Sequence, residues 1–265
     1  MELLGENEIH LWMVKLDCLT DQASQLICET VLSEEERRRS LRFCFDHHRQ
    51  RFLATRGVIR SVLSRYCEDI DPVDWGFSYG SHGKPSINTP SLAHPLHFNI
   101  SHSNNRISIA VARHADIGVD VEFISAQRKI IAIAERYFSP PEIEALMHLA
   151  PEQQVSRFYA LWTLKESYIK ACGSGLIIPL RHFTFRFQQN GKINIEFASD
   201  LGEKSSDWHF WQFEEGENYR LALALKSALT GENYEITTRE LLSFTADTTS
   251  GILLTGSSQK NLSCR

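Results

Sequence analysis

From Leu96 to Glu122 the chain passes through three stretches in which apolar and other residues alternate, separated by short turns. Leu96, Phe98 and Ile100 alternate first, then Ile107, Ile109 and Val111, and finally Ile117, Val119 and Val121. Period-two alternation marks a strand with one buried face, so whatever else the chain does, it must build around a sheet. Asn104-Asn105 supplies the first turn, because Asn tolerates left-handed backbone, and Arg113 to Asp116 the second. In the third run Gly118, Asp120 and Glu122 share the face opposite the apolar residues. Carboxylates two apart on a strand point the same way, with Cα atoms roughly 6.5–7 Å apart. Both can then reach one hard divalent cation; without one they repel. From spacing alone, a solvated strand face is the commoner reading.

Helical signals lie on either side. Ser33 is an N-cap with Glu36 three residues on, the pattern of a capping box. Ile130 to Phe138 reads as a helix, and Ser139-Pro140-Pro141-Glu142 starts another with proline early, where helices accept it. Gln153 to Cys172 is the clearest helix: Phe158, Leu161, Trp162, Lys165 and Ile169 form one stripe, and Gly173 is the expected stop. Glu166 and Lys170 are neighbours four apart on its edge, and an ordinary intrahelical pair of that kind is worth a few tenths of a kcal/mol. Further strands are expected at 9–16, 183–187, 193–197, 209–213 and 219–225. Residues 76–95 read as loop-rich, with Lys84 at the tip of a Gly/Pro turn. Beyond Leu242 a Ser/Thr/Gly-rich floppy tail is expected. No internal sequence repeat is evident.

With 265 residues, 42% hydrophobic and 23% charged, the chain can bury a proper core. Its net charge of −5 argues against a general nucleic-acid binder. Six cysteines without a C-x-x-C pair suggest reduced thiols rather than disulfides or zinc. Neither a signal peptide nor a membrane-spanning run is seen, so a cytoplasmic protein, with no membrane partner, is expected. Against this acidic background Arg37, Arg38, Arg39, Arg42, Arg49, Arg51, Arg56 and Arg60 cluster, with Asp46 the one carboxylate among them. They fit a solvated helix face, or a site for phosphates or an acidic protein, since guanidinium forks suit phosphate oxygens. Ser101-His102 stands at a strand end, where small-molecule sites form.

Taken together, Phe98-Asn99-Ile100-Ser101-His102-Ser103, Gly118-Val119-Asp120-Val121-Glu122 and Trp162-Thr163-Leu164-Lys165-Glu166-Ser167-Tyr168-Ile169-Lys170 resemble the surfactin-type (Sfp-type) 4′-phosphopantetheinyl transferases. Gly83-Lys84-Pro85 and Gly173-Ser174-Gly175-Leu176 fit in order and spacing, and the resemblance covers roughly residues 32 to 242. It implies an α/β (α+β) fold of two similar lobes in a pseudo-twofold arrangement, with the active site at their interface. The lobes would be 1–117 and 118–241, with a flexible tail at 242–265. It implies transfer of phosphopantetheine from coenzyme A to a serine of an acidic apo carrier protein, releasing 3′,5′-ADP, by a protein expected to be monomeric.

By the same resemblance Asp120, Glu122 and Glu166 would hold Mg²⁺, which commonly bridges carboxylates and substrate phosphates. Glu166 would be the base, directly or through water, and Lys170 would sit on the pyrophosphate. Arg39, Arg51, Arg56, Lys84, Ser101 and His102 would join Lys170 in binding coenzyme A. Glu36 stands where relatives can have a basic residue, which puts a phosphate contact there in doubt. Lys165 points about 100° from Glu166 on a helix and is expected to be structural. Two other readings compete: a metal-dependent nuclease or phosphohydrolase, and a non-catalytic module that binds coenzyme A or a carrier. The acidic net charge opposes the first, and the presence of all three carboxylates opposes the second.

Overall fold

The computed structural model describes residues 2–227, 233–244 and 246–259. Its elements in chain order are β1 (Glu8–Lys15), α1 (Gln22–Thr30), α2 (Glu34–Ser40), α3 (Asp46–Ser64), β2 (Gly76–Tyr79), β3 (Pro85–Thr89), β4 (His97–Ser103), β5 (Arg106–Ala112) and β6 (Ile117–Phe123). There follow α4 (Ile130–Tyr137), α5 (Pro140–Met147), α6 (Pro151–Cys172), β7 (Phe183–Phe187), β8 (Ile193–Phe197), β9 (Trp208–Glu215), β10 (Tyr219–Lys226), β11 (Glu235–Ser243), β12 (Ala246–Thr249) and β13 (Leu253–Ser257).

Two lobes repeat one topology. Each runs strand, helices, a two-stranded hairpin, then two antiparallel strands. The first therefore contains the order β1-β5-β4 and the second β6-β10-β9. Alternation along the strands feeds three cores. On β1, Ile9, Leu11 and Met13 face the space between the two sheets, whereas Trp12 and Val14 face α3. On β6, Ile117, Val119 and Val121 join the core between the sheets, as their spacing predicts. The opposite face of the second sheet carries α6. There Gly118 pairs with Ala224 and Asp120 with Ala222 on β10, and these small residues admit the helix closely. A Cβ on Gly118 would stand 2.0 Å from the Ser167 carbonyl and 2.5 Å from the Ala171 nitrogen.

The lobes are joined edge to edge by side chains. Asn99 Oδ1 accepts from Val119 N at 2.9 Å, and Ser103 Oγ accepts from Phe123 N at 3.0 Å. Ser101 Oγ donates to Asp120 Oδ1 at 2.9 Å. Alternate residues of β4 thus stand in for a backbone ladder to β6. Arg106 adds a tie from β5 to Glu215 on β9, at 2.8 and 2.9 Å.

Several expectations change. The stretch read as loop at 76–95 contains the hairpin β2–β3, and α1, capped by Asp21, lies before the basic helices. The second lobe does not simply run to 241, because β11 pairs in parallel with β1 and completes the first sheet. Nor is the stretch after Leu242 unstructured: β12 pairs with β11 and β13 with β9. Residues 245 and 260–265 of the expected tail lie outside the described residues. Polar strands with weak patterns of their own gain order here from an already formed neighbour.

Lys165 is structural, as helix geometry implied. Fully buried, its ammonium donates to Glu142 Oε2 at 2.9 Å and to the carbonyls of Leu180 and Phe183 at 2.8 and 2.7 Å. Glu142 in turn accepts from Ser139 N and Phe185 N. Burial pulls the Lys165 pKa down while Glu142 opposes that shift. Removing one member of such a pair strands the other, so Lys165→Met is expected to cost about 3–5 kcal/mol, read as a lower urea midpoint. A loss below about 1 kcal/mol contradicts this account.

Candidate active site

β6 and α6 set the stage. Asp120 and Glu122 project from the strand face on which Gly118 admits the helix, and Glu166 and Lys170 lie one turn apart on that helix. Gly173, at φ +66°, ends α6 in the left-handed conformation that favours glycine. Asp120 is buried, and its Oδ1 receives the Lys170 ammonium at 2.7 Å and the Ser101 hydroxyl at 2.9 Å. Lys170 Nζ also donates to Ser101 Oγ at 2.7 Å. Asp120 Oδ2 is buried and receives no hydrogen bond among the described residues.

Glu122 is held by the Trp162 indole N–H at 3.2 Å on one oxygen and by Ser103 Oγ at 3.2 Å on the other, with Arg128 3.7 Å from the latter. Burial and the Asp120 charge push the Glu122 pKa up. Glu166 feels the same two effects more strongly, and its pKa is raised from 4.5 to about 7.

One cleft of about 620 Å³ gathers most of the expected site. Its wall includes Asp120, Glu122, Glu166, Lys170, Ser101, His102, Arg51 and Arg56. Phe43, His48, Phe52 and Trp162 line it too. Three other expectations meet a different arrangement. Arg39 stacks over Phe52 at 5.5 Å and lines an adjoining recess with Arg38, Arg42 and Phe43 rather than the cleft itself. Lys84 donates to Ala171 O at 2.7 Å and caps the C-terminal end of α6, where a cation complements the helix dipole. Its neighbours Gly83 and Pro85 line the cleft. Glu36, where a phosphate contact was in doubt, is buried and takes two hydrogen bonds from Arg60, at 2.8 and 3.1 Å. Arg60 is thereby removed from the exposed cations.

Trp162, Ser103 and Arg128 were not singled out as site residues. Ser103 was legible in principle, since it shares the strand face of Asn99 and Ser101. Trp162 sits one turn before Glu166, but its apolar stripe hid the indole N–H.

The donor set suits a hard cation: three carboxylates on one wall, an orphan buried oxygen on Asp120, and two carboxyls whose ionisation burial and mutual repulsion oppose. The three are not gathered into one coordination sphere, however. Among the described residues no group of three His, Cys, Asp or Glu side chains forms a ready metal cage. Asp120 is bonded to Lys170 and Ser101, and Glu122 to Trp162 and Ser103 with Arg128 alongside.

A cleft with three carboxylates, a lysine and two arginines has the charges that suit a cation and phosphate oxygens. Comparison with known proteins narrows this. Residues 116–224 match the family model of the 4′-phosphopantetheinyl transferase superfamily, and residues 20–114 match that of the 4′-phosphopantetheinyl transferase N-terminal region. The chain is 39% identical over 173 residues to the 4′-phosphopantetheinyl transferase HetI of Nostoc sp., covering 65% of this chain and 72% of HetI. It is 35% identical over 192 residues to Sfp of Bacillus subtilis, covering 72% of this chain and 81% of Sfp. Among solved structures, holo-[acyl-carrier-protein] synthase from Neisseria meningitidis aligns with 42% of this chain and 96% of its own, at 19% identity and a TM-score of 0.35. The chain belongs to the Sfp-type 4′-phosphopantetheinyl transferase family. No helix among the described residues is long and apolar enough to cross a membrane.

Because folding raises the Glu166 pKa from 4.5 to about 7, the folded protein binds more protons than the unfolded one across that interval, and stability falls as pH rises through it. Glu166→Gln removes this contribution. Without added metal, urea midpoints of variant and wild type are expected to agree below about pH 4 and to separate above about pH 7, the variant being more stable. A difference independent of pH contradicts the shift.

Proposed function

We propose that this enzyme moves the 4′-phosphopantetheinyl group of coenzyme A onto a serine hydroxyl of an apo carrier protein and releases 3′,5′-ADP, with Mg²⁺ as cofactor. The observation that carries this reading is the convergence of Asp120, Glu122, Glu166, Lys170, Ser101 and His102, from both lobes, on one cleft in a chain of this family.

Glu166 is the base. Burial and the Asp120 charge raise its proton affinity above that of an ordinary carboxylate, and a cation bound beside it would act in the opposite sense. The serine hydroxyl gives its proton to Glu166, its oxygen bonds to the phosphorus that carries pantetheine, and the pyrophosphate P–O bond breaks so that 3′,5′-ADP leaves. Lys170, already at the mouth of the carboxylate pair, places its ammonium on the pyrophosphate oxygens, where charge grows in the transition state. Ser101 and His102 meet the same phosphates. Arg51 and Arg56, both on α3, line the same cleft and would meet the 3′-phosphate. Asp120, Glu122 and Glu166 would hold Mg²⁺, which supplies neutralisation of phosphate charge when bound. A monomer with this cleft open to solvent can receive the carrier directly.

Asp120→Ala and Glu166→Gln are expected to lower kcat for transfer by at least ~10³, and Lys170→Ala by ~10²–10³, with near-UV spectra unchanged. Steady-state assays with coenzyme A and an apo carrier read this. Wild-type-like turnover in Asp120→Ala contradicts the metal site.

The carrier is acidic. The exposed arginines of α2 and its flank, Arg38 among them at 70% side-chain exposure, suit such a partner. Arg38→Glu is expected to raise the carrier KM several-fold, leaving the KM for coenzyme A unchanged, because surface charges act through encounter. An unchanged carrier KM retires this surface.

A further inference from the structure

Glu122 has a companion that neither the family signature nor the reaction requires. Residues 124–129 connect β6 to α4, and this loop is pinned to α6: Ser125 N donates to Tyr159 Oη at 3.0 Å, and Tyr159 Oη donates back to Ser125 O at 3.3 Å. A turn closed by Arg128 N and Ser125 O then delivers Arg128 to the cleft edge. Its guanidinium lies 5.0 Å from the ring centre of Trp162 and 3.7 Å from Glu122 Oε2. Stacking on an aromatic face orients a guanidinium, so the cation is presented to the carboxylate rather than free to wander. Arg128 also counters the charge of Glu166. Two of the three acidic side chains of the site therefore share it.

Glu122 does not need Arg128 for its orientation. One oxygen is fixed by the Trp162 indole and the other by Ser103 Oγ, both neutral donors. What Arg128 adds is positive charge, at a carboxylate whose ionisation burial and Asp120 resist. A neutral donor can stay while a divalent cation binds the same carboxylate; a guanidinium beside it repels that cation.

We propose that Arg128 is the resident counter-ion of Glu122, balancing the carboxylate wall before metal arrives and holding down the affinity for metal alone. This rests on the metal-site reading above. Its consequence is that a divalent cation binds weakly until a pyrophosphate brings further negative charge, which couples metal and substrate binding. Lys170 plays the matching part at Asp120.

The test is calorimetric titration of MgCl₂ into the purified enzyme without coenzyme A, for wild type, Arg128→Met, Arg128→Lys and Asp120→Asn. Arg128→Met is expected to bind Mg²⁺ roughly three- to tenfold more tightly than wild type, the modest effect of removing one part-exposed charge. Arg128→Lys, which keeps the charge, is expected to stay within about twofold of wild type, and Asp120→Asn to lose the binding heat. A merely structural Arg128 would move affinity the other way or not at all. Equal or weaker binding by a folded Arg128→Met therefore overturns the counter-ion role while leaving the metal site intact. If Arg128→Met does not fold, Arg128→Gln carries the same expectation. Wild-type binding that survives Asp120→Asn unchanged, or no binding by either wild type or Arg128→Met, overturns the metal-site reading and this inference with it.

Discussion

The close approach of α6 to β6 is the constraint from which the site follows. Where a side chain would separate helix and strand, Gly118 leaves the Ser167 carbonyl and the Ala171 nitrogen in reach of its own Cα. Ala222 and Ala224 keep the neighbouring strand equally low. Two residues along β6 comes Asp120, and two residues before the end of α6 comes Lys170, so their 2.7 Å contact is a consequence of backbone proximity. The glycine of the Gly-x-Asp-x-Glu run is thus a steric requirement of the same site that its two carboxylates serve.

That proximity concentrates negative charge, and the surrounding structure is organised to tolerate it. Lys170 and Ser101 answer Asp120; Trp162, Ser103 and Arg128 answer Glu122; Glu166 responds by holding its proton up to about pH 7. Side chains from β4 take part in this as well as in joining the lobes, so the seam between lobes and the acidic wall are one construction. Loosening the seam would loosen the site. Ser103 makes the point: one hydroxyl accepts from the β6 backbone and donates to Glu122.

How much of this could be read from the chain varied with the strength of the local pattern. The alternating runs between 96 and 122 and the long helix ending at Gly173 are legible because their apolar residues recur at the strand and helix periods, although β5, β6 and α6 are buried on more than one face. The hairpin at 76–89 is Gly- and Pro-containing and largely exposed, and it offers only the Phe77–Ile87 pair to the core, too little for a pattern. β12 and β13 are edge strands whose order comes from β11 and β9. Lys84 illustrates a different limit: a lysine in a turn carries no record of which carbonyls the tertiary fold brings to it, and here they belong to α6 and to Ala115. Arg128 is equally silent in sequence, since its meaning depends on an indole contributed by α6.

On the proposed mechanism Asp120, Glu122 and Glu166 act on a single divalent ion beside the pyrophosphate. Crystals of the enzyme with coenzyme A and Mn²⁺, an anomalous scatterer standing in for Mg²⁺, test it most directly. One anomalous peak is expected in contact with all three carboxylates and with pyrophosphate oxygen, with Lys170 moved onto the phosphates. A peak that leaves Glu166 untouched, or coenzyme A bound away from this wall, would contradict it.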